Sequence, residues 1–415
     1  MRKRSTILAA LLSVAVLAGA CGGGRDVSID TDQHHPELLY LGSHTAITAI
    51  SPRSGAIKFQ EAGAVPSRDW SVLYAATNDG QSTTLRTLDP TTGAELASRT
   101  IPGVFAVRVV SEDGAAVALA PPPPEGFDTY HPTSKDPSPL VIVRRDDPEP
   151  QVLSVPGNVE PEAFSLAGDA LFVIDFVPPL APERYRVARL DLGAGTVGDV
   201  RSKEQELQEP MRGTARAQVV APDGRRLYTL YTRDATATEP AESFVHVLDL
   251  DKEQATCVDL PADFAANPLG ALAVSPSGSR LYVAAPGVGA LAELDTGALQ
   301  VTRTATMPPD SAATTARAAA SATTLYLSVD SRITPIALDD LSMGDPQTAP
   351  GQVIGMKPST DGTVLYVSLP DRVLVLDPRT LRQRTEIEVP TTDPIDHVAP
   401  ALPPIPNTNY VKCAC

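Results

Sequence analysis

A short strand–turn–strand unit recurs along this chain, and no other feature restricts its fold so strongly. The stretches V-V-A-P-D-G-R-R-L-Y-T-L-Y (219–231), A-V-S-P-S-G-S-R-L-Y-V-A-A (273–285) and M-K-P-S-T-D-G-T-V-L-Y-V-S (356–368) share one plan. Each has a short apolar run, a tight turn of Pro, Asp, Ser and Gly, and a second run centred on Leu-Tyr. Pro and Gly set the turn dihedrals, and Asp or Ser can hydrogen-bond its own backbone there. Alternation along the runs leaves each strand one face to bury. A third run ends in Leu-Asp at 84–90, 185–192, 245–250, 291–296 and 373–378, and a fourth, such as R-T-E-I-E-V-P at 384–390, follows a turn. A unit of this size cannot bury its faces alone and must stack on copies of itself.

Second-run cores fall at 38–42, 72–76, 116–120, 171–175, 227–231, 281–285, 325–329 and 365–369. The 40 Pro and 28 Gly separate short β-rich runs, as in an all-β chain. Four antiparallel strands per unit describe a propeller blade, and the Leu-Tyr pattern resembles the YVTN-type β-propellers, architectural relatives of WD-repeat propellers. The resemblance covers almost all of 36–402, most clearly 211–391 and least clearly 104–205. It implies an all-β propeller of four-stranded antiparallel blades and marks a blade, not an activity. Eight blades are expected, with seven the alternative; eight gives about 46 residues per blade, within the usual ~40–50. The first unit lacks an innermost strand, and I-D-H-V-A-P (395–400) is expected to supply it, closing the ring and removing its edges.

Arg2, Lys3 and Arg4 precede an apolar run from Ile7 to Ala20 that suits a signal peptide and is too short to span a bilayer. The small residues L-A-G-A followed by Cys21 resemble the lipobox of bacterial lipoproteins, with Ala18 where that family usually has Leu. The resemblance implies cleavage before Cys21 and lipidation of its thiol. The chain then divides into a signal peptide (1–20), a flexible tether (21–35), a single propeller (36–402) and a C-terminal tail (403–415). The same resemblance implies export and retention by an N-terminal lipid on the extracytoplasmic side of the cell membrane. A plain secretory signal cut near Ala20 is the alternative. With Cys21 lipidated, Cys257, Cys413 and Cys415 allow at most one internal bridge and leave a free thiol. Cys257 reads as a small apolar strand residue.

A formal charge of −16 makes nucleic acid a poor partner. The six His show no metal-ligand spacing, and no phosphate loop or nucleophile elbow is present, so no catalytic residue, metal ligand or cofactor is assigned. The recurring Asp89, Asp191, Asp249, Asp295 and Asp377 occupy one blade position and suit capping of turn amides, not catalysis. Trp70, the single Trp, reads as a blade-packing residue. Three consecutive units carry enlarged connections between second and third strands, at 121–139, 177–184 and 232–243. Strand antiparallelism puts all three on one face, where loops carry function more often than the strands beneath. They offer Phe127, Tyr130, His131, Lys135, Arg184 and Arg233 as candidate contacts. The reading is a non-enzymatic binding or scaffold protein for a protein or envelope ligand, with an envelope protein as the possible partner. The alternative is a hydrolase or lyase, lactonase-like, with its site in the central channel.

Overall fold

The computed structural model describes residues 37–42, 46–122, 133–202, 210–238, 240–265, 269–389 and 393–400. Cys21, the tether and the tail beyond 400 lie outside them.

Among the described residues the strands form eight four-stranded antiparallel sheets. Blade 1 runs outward from Ile395–Pro400 through Glu37–Gly42 and Ala46–Ile50 to Ile57–Ala62. The other blades follow in chain order, each from an innermost to an outermost strand. They begin at Val65–Pro66 (blade 2), Ala106–Val110 (blade 3), Asn158–Phe164 (blade 4), Thr214–Val220 (blade 5), Ala271–Val274 (blade 6), Ala316–Ala320 (blade 7) and Gly355–Pro358 (blade 8). Innermost strands lie side by side at six of the eight junctions, and buried side chains join blades 1 and 2 and blades 4 and 5. The eight sheets thus stand in a ring as an eight-bladed β-propeller, and the seven-blade alternative is set aside. All eight predicted second-strand cores coincide with second strands.

The repeated motif has a structural cause at each position. In the Leu-Tyr pair, Leu packs inside the inter-blade core while Tyr reaches the next blade. Tyr40 donates to the carbonyl of Pro90 (2.9 Å), Tyr74 to Gly114 (2.7 Å) and Tyr326 to Pro378 (2.9 Å). At the first-to-second turns a serine hydroxyl accepts the amide five residues on, as in Ser67–Val72 (3.1 Å), Ser111–Ala116 (2.9 Å) and Ser359–Val364 (3.1 Å). The recurring Asp carboxylates cap third-to-fourth turns: Asp295 accepts Gly297 and Ala298 amides (2.9 and 2.8 Å), and Asp377 those of Arg379 and Thr380 (both 3.0 Å). These amide bonds, with an Arg280 contact at Asp295 and an Arg384 contact at Asp377, hold both carboxyls below the usual carboxylate range.

Closure occurs as the sequence suggests. Ile395–Pro400 pairs antiparallel with Glu37–Gly42, and Gly42 donates its amide to Pro394 (3.0 Å). Ile395 enters the core shared by blades 8 and 1 with Leu39, Leu41, Ile50 and Val373. A Cβ on Gly355, in the innermost strand of blade 8, would lie 2.6 Å from the Ile395 amide nitrogen, so the closing strand passes where only glycine fits. The Glu37 carboxylate latches the seam by accepting the Thr360 amide (2.8 Å) and the Tyr366 hydroxyl (2.9 Å). Burial, and after it the Glu37 charge, raise the Tyr366 pKa. Trp70 (φ 56) stacks on His397 of the closing strand at 4.6 Å and 8°, so it packs between blades 1 and 2.

Candidate functional site

The first-to-second turns and third-to-fourth turns are short and share one face. The opposite face carries the second-to-third returns, and three consecutive blades distinguish it. In blades 4 and 5 much of the enlargement is extra strand. Their second and third strands, Ala170–Val177 with Arg184–Asp191 and Arg226–Arg233 with Glu242–Asp249, are eight residues each. Those expected loops therefore shrink to 178–183 and 234–241. The lengthened hairpins stay together because Phe176, Tyr185, Tyr231 and Phe244 form an aromatic layer beneath the returns, with Tyr231 and Phe244 stacked at 5.4 Å.

The returns of blades 3 and 4 are hydrogen-bonded to each other. Ser134 donates its hydroxyl to the Leu180 carbonyl (2.6 Å), and Asn158 donates its amide to Thr133 (2.9 Å) and Pro179 (3.0 Å). Gly157 donates its amide to Asp136 (2.9 Å). Leu180 stands on top of this junction, 64 % exposed.

Of the candidate contacts, Phe127, Tyr130 and His131 lie outside the described residues. Lys135 points to the ring interior, pairing with Glu160 of the innermost strand of blade 4 (2.5 Å), which also holds Arg108 of blade 3 (2.8 Å). This pair braces the return against the channel wall. Arg184 and Arg233 meet in a cleft of about 310 Å³ between blades 4 and 5, where Arg212 of the inter-blade link joins them. Arg212 carries no local sequence signal, because it sits in an inter-blade link outside the repeated motif. Phe176 and Tyr185 also line the cleft, as do the exposed carboxylates Glu183 and Asp234. Arg233 is ion-paired to Glu242 across its hairpin, whereas the Arg184 side chain is exposed and has no hydrogen bond or ion pair among the described residues.

The cleft is rigidly framed. Tyr185 and Met211 exchange backbone hydrogen bonds (3.1 and 2.6 Å), and the Tyr185 hydroxyl donates to Gly213 (2.9 Å). Gly213 has φ 134, and a Cβ there would meet the Thr232 carbonyl oxygen at 2.8 Å. Glycine is thus required where the link presses against blade 5.

A polar row crosses the blade 4–5 interface below the cleft. Gln218 donates to Glu162 (2.7 Å) and Thr229 (3.0 Å), and Thr229, His246 and Cys257 follow as successive cross-strand neighbours. Glu162 is half-buried, and burial raises its pKa. His246 is 3 % exposed, its Nε2 has no partner among the described residues, and burial lowers its pKa to about 4. Cys257 lies in a strand, as expected, and is a free cysteine exposed on the outermost strand of blade 5. No group of three or more His, Cys, Asp or Glu among the described residues is placed to hold a metal ion.

Solved structures share this fold. A dihydro-heme d1 dehydrogenase, NirN, in complex with DHE aligns over 88% of this chain and 75% of its own, at 14% identity and TM-score 0.50. Hydrazine synthase of Kuenenia stuttgartiensis aligns over 80% of this chain and 100% of its own (13% identity, TM-score 0.41), and apo AztD from Citrobacter koseri over 77% and 96% (12%, 0.38). At such identities the likeness is one of fold alone. No protein-family model and no curated protein matches the chain. Fold and site together define an eight-bladed β-propeller with one reinforced sector of returns over blades 3–5.

Proposed function

We propose that this propeller is a non-enzymatic binding protein that docks an envelope protein or envelope ligand on the return sector of blades 3–5, while a lipid on Cys21 holds it at the extracytoplasmic side of the cell membrane. The repeat itself is read as YVTN-type on its Leu-Tyr cores. One observation carries the docking surface: the returns of blades 3 and 4 are hydrogen-bonded to each other beside an arginine-bearing cleft between blades 4 and 5. A partner that meets preordered loops loses less conformational entropy on binding. Blades outside this sector keep short returns.

Replacing 121–132 by a short Gly-Ser linker tests the docking. That replacement spares Ser134, Lys135 and Ser138, which the fold uses: Ser138 is fully buried and donates to Gly157 (2.9 Å). The expected result is an unchanged melting temperature with about a tenfold loss, or ~1.4 kcal/mol, in affinity for a partner captured from solubilised envelope by the native chain. Equal affinity at equal stability overturns the docking surface.

The anchor is tested separately. Cys21→Ala is expected to release the chain from membranes or leave it uncleaved; fractionation and migration identical to wild type overturn it. No helix among the described residues is long and apolar enough to cross a membrane.

A further inference from the structure

We infer that the cleft between blades 4 and 5 is a carboxylate-binding site, formed by Arg184, Arg212 and Arg233. This rests on the return sector being the working surface and names the chemistry it recognises. The three guanidiniums come from three separate segments, namely the start of a third strand, the inter-blade link and the end of a second strand. Their convergence runs against a chain whose formal charge is −16. Glu183 and Asp234 line the same cleft and Glu242 pairs with Arg233, so the attraction for an added anion rests chiefly on Arg184, whose side chain is exposed.

The donors differ in commitment. Arg233 is occupied by Glu242, which fixes its guanidinium at the cleft edge. Arg184 is uncommitted among the described residues and exposed, so its planar fork is available for a two-point contact of the kind guanidinium makes with carboxylate. Phe176 and Tyr185 supply an apolar wall for the carbon skeleton beside the charge. The Tyr185–Met211 and Tyr185–Gly213 hydrogen bonds hold the link, and with it Arg212, close to Arg184. A cleft of about 310 Å³ is at the small end of ligand sites. It accommodates one acidic side chain with its flanking backbone, or a small free polycarboxylate. Both sources present the same group.

The test is calorimetric titration of the purified full chain at pH 7 and low salt with two probes, citrate and an octaglutamate peptide. At least one probe is expected to bind. Binding is expected to weaken about tenfold in Arg184→Gln and further in Arg184→Glu, and to fall with added salt. Arg184 is exposed, so these variants should melt as wild type does; Arg212→Gln provides an independent check from a different segment. Peptide binding without citrate binding assigns the carboxylate to a protein partner's acidic segment, and the reverse to a small acid. Failure of wild type to bind either probe, or equal binding by wild type and Arg184→Glu, overturns the inference. Carboxylate binding that survives while the 121–132 replacement leaves partner affinity untouched would instead count against the docking sector alone.

Discussion

Ending the chain at Val389 is expected to unfold the propeller. The cut removes the innermost strand of blade 1, and with it Ile395, 4 % exposed, together with the Val398 and Ala399 contacts to the cores on either side. Burial of aliphatic side chains stabilises by about 1.5–3 kcal/mol each, and the ladder hydrogen bonds to Glu37–Gly42 add about 1 kcal/mol apiece. The stack of His397 on Trp70 is also lost. The sum is on the order of 5–10 kcal/mol, comparable to the whole stability of a typical domain. What remains exposes an edge strand whose six residues are all buried in the intact ring, which invites edge-to-edge association. Circular dichroism melting and gel filtration check this. A cut chain that stays monomeric with its native melting temperature overturns the closure, whereas a chain ending at 402 keeps the strand and should match wild type.

Much of this fold is legible because its determinants are local and repeat. A Leu-Tyr pair does the same two jobs in several blades, as Tyr40, Tyr74 and Tyr326 show by bonding the turns of the following blade. The Asp series could be read as turn caps from position alone, and Asp295 and Asp377 perform that role. The closing strand was legible by subtraction, since one unit lacked a first strand and one strand lacked a unit. The site was legible only in outline. Which face the returns occupy follows from antiparallel pairing, but how far a hairpin extends depends on packing between blades. Phe176 and Tyr185 in blade 4 meet Tyr231 and Phe244 in blade 5 across more than forty residues of chain, and no local pattern announces that layer. Lys135 and Glu160 likewise find each other through the ring, so a lysine that looks available in a loop is spent on an internal pair. Arg212 enters the cleft from a link with no motif of its own.

The polar row and the closing strand together make acid the condition to which this propeller should be most sensitive. His246 and His397 both have pKa values lowered from 6.5 to about 4. Burial alone accounts for His246, whose cross-strand neighbours Thr229 and Cys257 and ring neighbour Tyr231 bring no charge at neutral pH. Burial is the larger cause for His397 too, and Lys357 of the adjoining innermost strand adds repulsion to its charged form; Trp70 and Tyr40 are its aromatic neighbours. Both rings are neutral in the folded chain and take up a proton on unfolding once the pH drops below 6.5. Their contribution is therefore complete above about pH 6.5 and is lost progressively as the pH falls toward 4, by about 3 kcal/mol for each. The turn carboxylates Asp295 and Asp377 act in a lower window, because their pKa values lie below 3.8 and their contribution is lost only as the pH falls beneath that value. Denaturant unfolding at pH 7, 5.5 and 4.5 should thus show a steep decline that carboxylates do not explain. Replacing His397 by Phe keeps the stack on Trp70, and replacing His246 by Leu removes the unpartnered Nε2; the double variant should flatten the profile between pH 6.5 and 4.5 while leaving the decline below pH 4. A double variant with the wild-type slope in the upper window would show that neither imidazole is held neutral by the fold.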